Sequence, residues 1–157
     1  MSRIDKDNYY LDIAQTVLER STCQVARYGA IIVRGDEIVA TGYNGAPRGR
    51  ANCTDLGYCA MEIKGGGLDA CRGVHAEINA MISAPRSACA GGVLYLVGQD
   101  AATGELLDNP APCPMCMRMM INAGLRQVVV RNAPDRYTVF NVQDWVFDDD
   151  TVPAPPK

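Results

Sequence analysis

Two short motifs constrain this sequence more than any other feature. They are H-A-E at residues 75–77 and P-C-P-M-C at residues 112–116. His75 is the only histidine in the chain, and with Cys113 and Cys116 it offers one imidazole and two thiolates. Three such ligands bind a tetrahedral zinc ion and leave its fourth position open to water. Glu77 follows the ligand histidine closely, where a carboxylate can move the protons of that water.

The local structure predicted around both motifs suits metal binding. Each motif falls at the predicted start of a helix, and Cys113 and Cys116 have the i, i+3 spacing that puts two side chains on one helix face. The positive end of the helix dipole favours the thiolate form that binds metal. The alternative is a structural zinc, whose coordination shell a fourth protein ligand would close.

The composition disfavours several classes of protein. A chain of 157 residues suits one domain. Its formal charge of −3 and pI of about 5.1 disfavour a nucleic-acid partner such as tRNA or DNA, which requires a basic surface. We find no N-terminal leader and no run of roughly 18 apolar residues, so we expect a cytoplasmic protein without a membrane span. In that compartment the seven cysteines are expected to bind metal rather than form disulfides.

The hydrophobic periodicity predicts a mixed sheet covered by helices on both faces. A helix over 7–20, with Asp7 as its N-cap, precedes a hairpin of strands 30–33 and 38–43. Further elements are predicted as helices 76–82 and 113–123 and strands 93–97, 127–130 and 137–142. This order favours an α/β fold. We expect one domain over residues 1–147 and a flexible acidic and proline-rich tail over 148–157.

Four segments of the chain follow the pattern of one family. They are R-Y-G-A-I-I-V (27–33), T-G-Y-N-G-A-P (41–47), H-A-E-I-N-A (75–80) and P-C-P-M-C (112–116). Together they resemble the zinc-dependent cytidine and deoxycytidylate deaminase family, most closely its deoxycytidylate branch, over most of residues 7–131. The resemblance implies a three-layer α/β/α sandwich around a mixed five-stranded sheet, and a homo-oligomer (dimer or hexamer). It also implies hydrolytic conversion of deoxycytidylate to deoxyuridylate with release of ammonia.

Five residues are candidate substrate contacts. The resemblance implies that Asn44 contacts the sugar hydroxyl; read from its neighbours alone, it is a turn residue. Ala76, which lies between His75 and Glu77, is also a candidate substrate contact. Arg48 and Arg50 flank a glycine after this loop and either bind a 5′-phosphate or are solvated loop arginines. Tyr137 either walls the base pocket or is an ordinary core tyrosine.

The remaining cysteines suggest a second metal site. Cys23 and Cys53 resemble positions that carry a structural zinc in some members of the branch. Cys59 and Cys71 lie on the same irregular stretch, and four thiolates would close a tetrahedral structural site. The alternative is a set of buried free thiols that pack as small apolar side chains. Cys89 is left over under either interpretation.

One departure from the family pattern leaves the substrate open. The branch runs from the third strand to P-C within a few residues, whereas this chain inserts Gly98–Ala111. That insertion could act as a lid or reshape the pocket, which favours a free nucleoside or another aminopyrimidine as the alternative substrate. A tRNA adenosine deaminase uses similar ligands, but the acidic chain disfavours it. A non-catalytic zinc module is disfavoured by Glu77, because a module without catalysis needs no carboxylate there.

Overall fold

The computed structural model describes the backbone of residues 1–157 and every side chain except that of Leu68. A five-stranded sheet in the order β2-β1-β3-β4-β5 forms its centre. The strands are β1 (Ala26–Arg34), β2 (Glu37–Tyr43), β3 (Val93–Asp100), β4 (Gln127–Ala133) and β5 (Arg136–Asn141). The β3–β4 pair is parallel and the other three pairs are antiparallel. The predicted mixed five-stranded sheet is therefore confirmed.

Helices cover both faces of this sheet. They are α1 (Lys6–Val17), α2 (Cys53–Leu56), α3 (Ala60–Lys64), α4 (Ala76–Ile82), α5 (Arg86–Cys89), α6 (Pro114–Ala123) and α7 (Val142–Phe147). One face carries α1, and the other carries α4 and α6. The three-layer α/β/α arrangement is thus confirmed. None of the described helices is both long and apolar enough to cross a lipid bilayer.

The alternation of side chains along the strands divides the core into two clusters. In β1, Ala30 and Ile32 point toward α4 and α6, whereas Ile31 and Val33 point toward α1. All four are buried, because a strand that is covered on both faces presents apolar side chains to each. The central strands consequently read as continuous apolar runs in the sequence.

Close backbone contacts at two glycines set the distance between helices and sheet. A Cβ atom on Gly42 of β2 would lie 2.3 Å from the carbonyl oxygen of Ala76 and 2.4 Å from the amide nitrogen of Ala80. A Cβ atom on Gly29 of β1 would lie 2.1 Å from the carbonyl oxygen of Ala14 in α1. Only glycine permits such an approach. Gly42 therefore allows the start of α4 to lie against the sheet.

The predicted N-cap of α1 was wrong. The helix begins at Lys6, two residues earlier than an N-cap at Asp7 would allow. Asp5 is the N-cap, and its carboxylate accepts a hydrogen bond from the amide of Asn8 at 2.9 Å. Asp7 lies in the first turn and instead accepts a hydrogen bond from the hydroxyl of Tyr95 at 2.8 Å. Both aspartates suit a helix start chemically, and in the structure Asp5 caps the helix while Asp7 contacts β3.

Pairing also extends the strands beyond their predicted ends. β1 begins at Ala26 and β3 continues to Asp100, because these two residues are partners in the antiparallel ladder. The irregular segment before Arg72 contains the short helices α2 and α3, and α7 was not predicted. Residues 148–157 form no helix or strand and are all exposed. The division into a domain over 1–147 and a flexible tail stays a prediction.

Candidate metal centre and substrate cavity

The two sequence motifs occupy the N-termini of α4 and α6. His75 is the N-cap residue of α4 and has an extended backbone conformation. Cys113 is the N-cap residue of α6, and its Sγ accepts a hydrogen bond from the amide of Cys116 at 3.4 Å. Pro114 takes the first helical position, where its missing N–H costs nothing. The three candidate ligands therefore sit at the positive ends of two helices.

The donor atoms of these residues form a triangle of the size that zinc requires. The Nδ1 atom of His75 lies 3.5 Å from Cys113 Sγ and 3.4 Å from Cys116 Sγ. All three donor atoms lie within 4.8 Å of one another. Zn–N bonds of about 2.05 Å and Zn–S bonds of about 2.3 Å at a tetrahedral angle separate nitrogen from sulfur by about 3.6 Å. Both nitrogen–sulfur distances therefore fit a zinc ion bound by these residues.

The thiols of this triangle differ in their surroundings. Cys116 is fully buried, whereas Cys113 and His75 are half-buried and border a cavity. Burial raises the pKa of the Cys116 thiol, and the nearby charge of Glu77 raises it further. A thiol in this state keeps its proton until a metal ion displaces it. The site is thus expected to release protons when it binds metal.

Glu77 is a buried carboxyl next to the ligand triangle. It is the second residue of α4, and only 4% of it is exposed. Burial raises the pKa of the Glu77 carboxyl, and the charge of His75 opposes that rise. A carboxyl whose pKa is raised toward neutrality can both accept and return a proton. Its surroundings therefore suit a general acid–base.

A cavity of about 330 Å³ opens on this group of residues. His75, Cys113 and Glu77 lie in its wall, and Tyr28 and Asn44 line it from β1 and the end of β2. This volume falls within the usual range for small-molecule sites. The open side of the ligand triangle therefore faces a space that can hold a small substrate.

Asn44 is held rigidly in the wall of this cavity. Its side-chain oxygen accepts hydrogen bonds from the Tyr28 amide at 2.8 Å and the Ser21 hydroxyl at 2.6 Å. Its Nδ2 donates to the carbonyl oxygen of Ala26 at 2.8 Å. The amide nitrogen carries two hydrogens, so one N–H remains for a ligand. Asn44 thus links β1 to the loop that follows β2, and it is also a candidate ligand contact.

Arg48 and Arg50 lie outside the metal-site cavity. Both are exposed, and both line a second cavity of about 800 Å³ beside β2 and α4. The segment 44–46 separates the two cavities, since Gly45 and Ala46 line both of them. Ala76, by contrast, is fully buried and lines the metal-site cavity. Of these three candidates, the structure brings only Ala76 to the metal site.

Tyr137 lies on the opposite face of the sheet from the metal site. It packs against the buried apolar cluster beneath α1, whereas Cys116 belongs to the cluster beneath α4 and α6. It pairs with Arg131 of β4, whose side chain is also on the α1 face. Within one chain, the sheet therefore separates Tyr137 from the predicted base pocket.

The four upstream cysteines surround the same cavity as the metal site. Cys23, Cys53, Cys59 and Cys71 all line it, and all four are half-buried free thiols. Among the described residues, the His75 triangle is the one group whose three donor atoms lie within 4.8 Å of each other. The structure thus gathers the four thiols around one space without placing three of their sulfurs at ligand distance. The second zinc stays a prediction.

The inserted segment Gly98–Ala111 forms a hairpin. β3 runs on to Asp100, and the chain turns back so that Gln99 and Leu106 form an antiparallel bridge. The Asp100 carboxylate accepts hydrogen bonds from two backbone amides of this turn, at 2.8 and 2.9 Å. Leu106 packs beneath α1, on the far side of the sheet from the metal site. Of the described residues of this segment, only Ala111 lines the cavity.

Tyr28 and Arg72 are two of the cavity residues that were not predicted from the sequence. Tyr28 precedes Gly29 in β1 and lies on the same face as Ala30, which strand alternation could have indicated. The charge of Glu77, after burial, helps to raise the pKa of the Tyr28 hydroxyl, so the two side chains are close. Arg72 lies just before the histidine motif, and its sequence position was the available signal.

A family model described as the cytidine and deoxycytidylate deaminase zinc-binding region matches residues 4–132. The chain belongs to this family, as its motifs predicted. Family and donor set together identify the metal of the His/Cys/Cys site as zinc.

Two relatives illustrate the extent of the similarity. A deoxycytidylate deaminase of Schizosaccharomyces pombe is 36% identical over 126 residues, which cover 78% of this chain and 36% of that protein. The chain therefore spans only about a third of the length of the yeast relative. A deoxycytidylate deaminase of Mycobacterium phage D29 is 33% identical over 138 residues, covering 82% of this chain and 96% of the phage protein.

Solved structures show the same architecture. A dCMP deaminase from cyanophage S-TIM5, in complex with dCMP and dUMP, superposes with a TM-score of 0.60 at 26% identity, covering 83% of this chain and 85% of that one. A cytidine deaminase from Burkholderia pseudomallei has a TM-score of 0.60 at 20% identity, covering 90% of this chain and 95% of that one. The second likeness concerns the fold alone. The predicted cytidine deaminase-like fold class is confirmed.

Proposed function

We propose that this protein is a deoxycytidylate deaminase, which converts dCMP and water into dUMP and ammonia. The observation that carries the proposal is the buried Glu77 carboxyl beside a three-ligand zinc site that opens into a cavity. The choice of dCMP is supported by the phage D29 relative, which this chain matches over 96% of its length. The cyanophage enzyme, solved with dCMP and dUMP, supports the same choice.

The residues His75, Cys113 and Cys116 would hold the catalytic zinc, one ion per site. When bound, zinc supplies the Lewis acidity that makes water a nucleophile near neutral pH. The chain supplies only three ligands here, so one coordination position remains for chemistry. A closed structural site would need a fourth protein ligand within reach, and among the described residues the triangle has none.

Glu77 would transfer the protons of the reaction. Its carboxylate takes a proton from the attacking water and delivers it to a ring nitrogen of the base, which makes the amino-bearing carbon electrophilic. The water oxygen then bonds to that carbon. The second proton moves through Glu77 to the amino nitrogen, the C–N bond breaks, and ammonia leaves as the carbonyl forms. One carboxyl acts as base and acid in turn, for which its raised pKa is suited.

Asn44 and Ala76 would position the substrate. The one N–H of Asn44 that is not engaged with Ala26 is available to a sugar hydroxyl. The other hydrogen bonds of Asn44 hold its amide in a single orientation, which lowers the entropy cost of binding. Ala76 leaves space for the base beside Glu77, because its side chain is a single methyl group.

We further propose that Cys23, Cys53, Cys59 and Cys71 bind a second, structural zinc. Their shared cavity supports this proposal. Bringing the sulfurs to bonding distance would tie the segment that contains α2 and α3 to the start of β1. That segment has little buried apolar surface of its own, since α2 contains no buried residue and α3 only Ala60. A metal ion would supply the missing stabilisation.

We also propose that the chain forms a homo-oligomer. Large apolar side chains remain exposed on the single chain, among them Ile82 on α4 (69% exposed) and Phe147 on α7 (76% exposed). Burial of such side chains between copies would be favourable. Light scattering coupled to size-exclusion chromatography measures the mass directly, and a monomer at micromolar concentration would contradict the proposal.

The decisive experiment measures ammonia release from a panel of substrates. The zinc-loaded protein is assayed with dCMP, CMP, deoxycytidine, cytidine and dAMP, and the pyrimidine product is identified by chromatography. We expect dCMP to give the highest kcat/KM. A preference for deoxycytidine or cytidine would make the protein a nucleoside deaminase, and no ammonia from any cytosine compound would contradict the proposed chemistry.

A further inference from the structure

Arg72 is the only lysine or arginine among the described residues that line the metal-site cavity. It is half-buried, and it lies in the segment that leads into the histidine motif. Glu77 is the only carboxylate in the same wall. The cavity thus has one proton-transfer group near the metal ligands and one permanent positive charge elsewhere on its surface.

The position of Arg72 relative to the metal ligands is set by a backbone bridge. The amide of Val74 donates to the carbonyl oxygen of Gly45 at 2.7 Å. The amide of Gly45 donates in turn to the carbonyl oxygen of Val74 at 3.2 Å. This pair of bonds ties the segment before His75 to the loop that begins with Asn44. Three residues of extended chain span at most about 10 Å. Arg72 therefore lies within the length of one nucleoside monophosphate from the ligand histidine.

The guanidinium group of Arg72 has no acidic partner. Its Nη1 lies 3.8 Å from the Sγ atom of Cys53, and no carboxylate of the described residues lies within 4.0 Å of it. Arg131 provides the contrast, because that buried guanidinium pairs with Asp12 at 2.8 Å. Without a carboxylate partner, the half-buried guanidinium group keeps N–H donors that an anionic ligand can accept hydrogen bonds from. A phosphate group in the cavity would occupy these donors, whether or not the neighbouring thiols bind zinc.

The other two arginines near Asn44 do not line the metal-site cavity. Arg48 and Arg50 are exposed and line the cavity beside β2, which the segment 44–46 separates from the metal site. Neither of them lines the cavity that contains Glu77. Arg72 is on the same side as the metal ligands.

We infer that Arg72 binds the 5′-phosphate of the substrate and thereby determines the preference for a nucleotide over a nucleoside. The inference rests on the proposed function, since it concerns the same cavity. A guanidinium group matches phosphate oxygens with two parallel hydrogen bonds. A hydrogen bond to a charged group changes binding by about 10- to 150-fold. One arginine is therefore sufficient for a large discrimination between deoxycytidylate and deoxycytidine.

The test compares Arg72→Gln with matched variants of the two exposed arginines, Arg48→Gln and Arg50→Gln. Each full-length, zinc-loaded protein is assayed for kcat/KM with deoxycytidylate and with deoxycytidine. We expect Arg72→Gln to lower kcat/KM for the nucleotide about 10- to 150-fold and to leave the nucleoside unchanged. Arg72→Lys should recover part of the loss, because it keeps the charge without the planar fork. Zinc content and melting temperature should match the wild type.

A second readout does not depend on turnover. Calorimetry measures the binding of dUMP and of deoxyuridine to the wild type and to Arg72→Gln, and only dUMP binding should weaken. If the wild type deaminates neither substrate, the proposed function fails, and dUMP binding alone decides whether Arg72 recognises phosphate. Equal losses for nucleotide and nucleoside in Arg72→Gln would overturn the inference. A selective loss in Arg48→Gln or Arg50→Gln, with Arg72→Gln unaffected, would overturn it as well.

Discussion

The Nδ1 atom of His75 lies 3.4 Å from the Sγ atom of Cys116, although 41 residues separate them in the chain. The contact joins the start of α4 to the first turn of α6, and both helices pack on the same face of the sheet. Since α6 leads into β4, the parallel pairing of β3 with β4 helps to place it beside α4. The metal centre is therefore a product of the sheet topology as much as of the two motifs.

Glu77→Gln should abolish most of the turnover and leave the zinc in place. The amide cannot transfer protons, and a positioned acid–base contributes about 10²- to 10⁴-fold to the rate. Zinc content is measured by elemental analysis and kcat by ammonia release. Glu62→Gln, a change at an exposed residue of α3, serves as the control and should retain full activity. A Glu77→Gln variant with more than about a tenth of the wild-type rate would contradict the role of this residue.

Cys116→Ala should remove the catalytic zinc and the activity together. The ligand triangle then has only two donors, and its affinity for zinc falls accordingly. Cys89→Ala is the matched control, because Cys89 is equally buried beneath the same layer of helices but lies outside the metal-site cavity. Both variants lose similar packing, so a difference in zinc content between them reports on ligation. Equal zinc contents would show that Cys116 does not bind the metal.

Cys53→Ser tests the second zinc. If the four upstream thiolates bind an ion, the purified wild type should contain about two zinc ions per chain and the variant about one. The melting temperature of the variant should fall strongly, because structural zinc binding contributes directly to folding. A wild type with one zinc per chain, and a variant as stable as the wild type, would leave the four thiols as ordinary half-buried cysteines.

Gly42→Ala should destabilise the fold and lower the activity. The added Cβ would lie 2.3 Å from the Ala76 carbonyl oxygen, so α4 must move away from β2 and carry Glu77 with it. Overpacking of this kind typically costs about 1–3 kcal/mol, which corresponds to a melting temperature lower by several degrees. Gly67→Ala is the control, because no described atom outside the adjoining residues lies within 4 Å of that position. Normal activity in Gly42→Ala would show that the helix position tolerates the shift.

Tyr10→Phe should change how stability depends on alkaline pH. The Tyr10 hydroxyl donates a hydrogen bond to the Asp36 carboxylate, which together with burial raises the pKa of Tyr10 from 10.0 to about 12. A raised pKa means that this contribution is complete below pH 10 and is lost as the pH rises toward 12. The stability difference between wild type and variant should therefore be constant from pH 6 to 9 and shrink above pH 10.

Urea unfolding at a series of pH values measures this difference. Tyr9→Phe is the control, since Tyr9 is adjacent in α1 but 48% exposed, and its effect should stay small throughout. A Tyr10→Phe difference that does not change between pH 9 and 12 would contradict the contribution of this hydrogen bond.

The chemistry of the site was predictable because it is encoded in short segments. His75 and Glu77 are neighbours, and the spacing of Cys113 and Cys116 within one helical turn places their sulfurs together in any context. The predicted bounds of α4 agree with the structure for the same reason, since local periodicity and the nearby Pro85 are sufficient to define that helix. Both features depend only on residues that lie a few positions apart in the sequence.

The identity of the residues that line the candidate substrate cavity depended on long-range packing. Arg48, Arg50 and Arg72 are all loop arginines near a motif, and only the tertiary structure distinguishes them, by exposure and by the cavity that each lines. The strand that carries Tyr137 was predicted, but the face to which this side chain points was decided by pairing with β4. A shift of one residue in register would reverse that face.

The sequence by itself thus determined the family, the candidate metal ligands and the carboxyl that we propose as the proton-transfer group, because each depends on residue types at short and regular spacing. Only the tertiary structure decided that Tyr28, Asn44 and Arg72 line the metal-site cavity. It also decided that the inserted hairpin supports the α1 layer. These relationships arise when the strands pair and two helix ends meet, and no spacing along the chain records which side of a sheet or loop a distant residue will occupy.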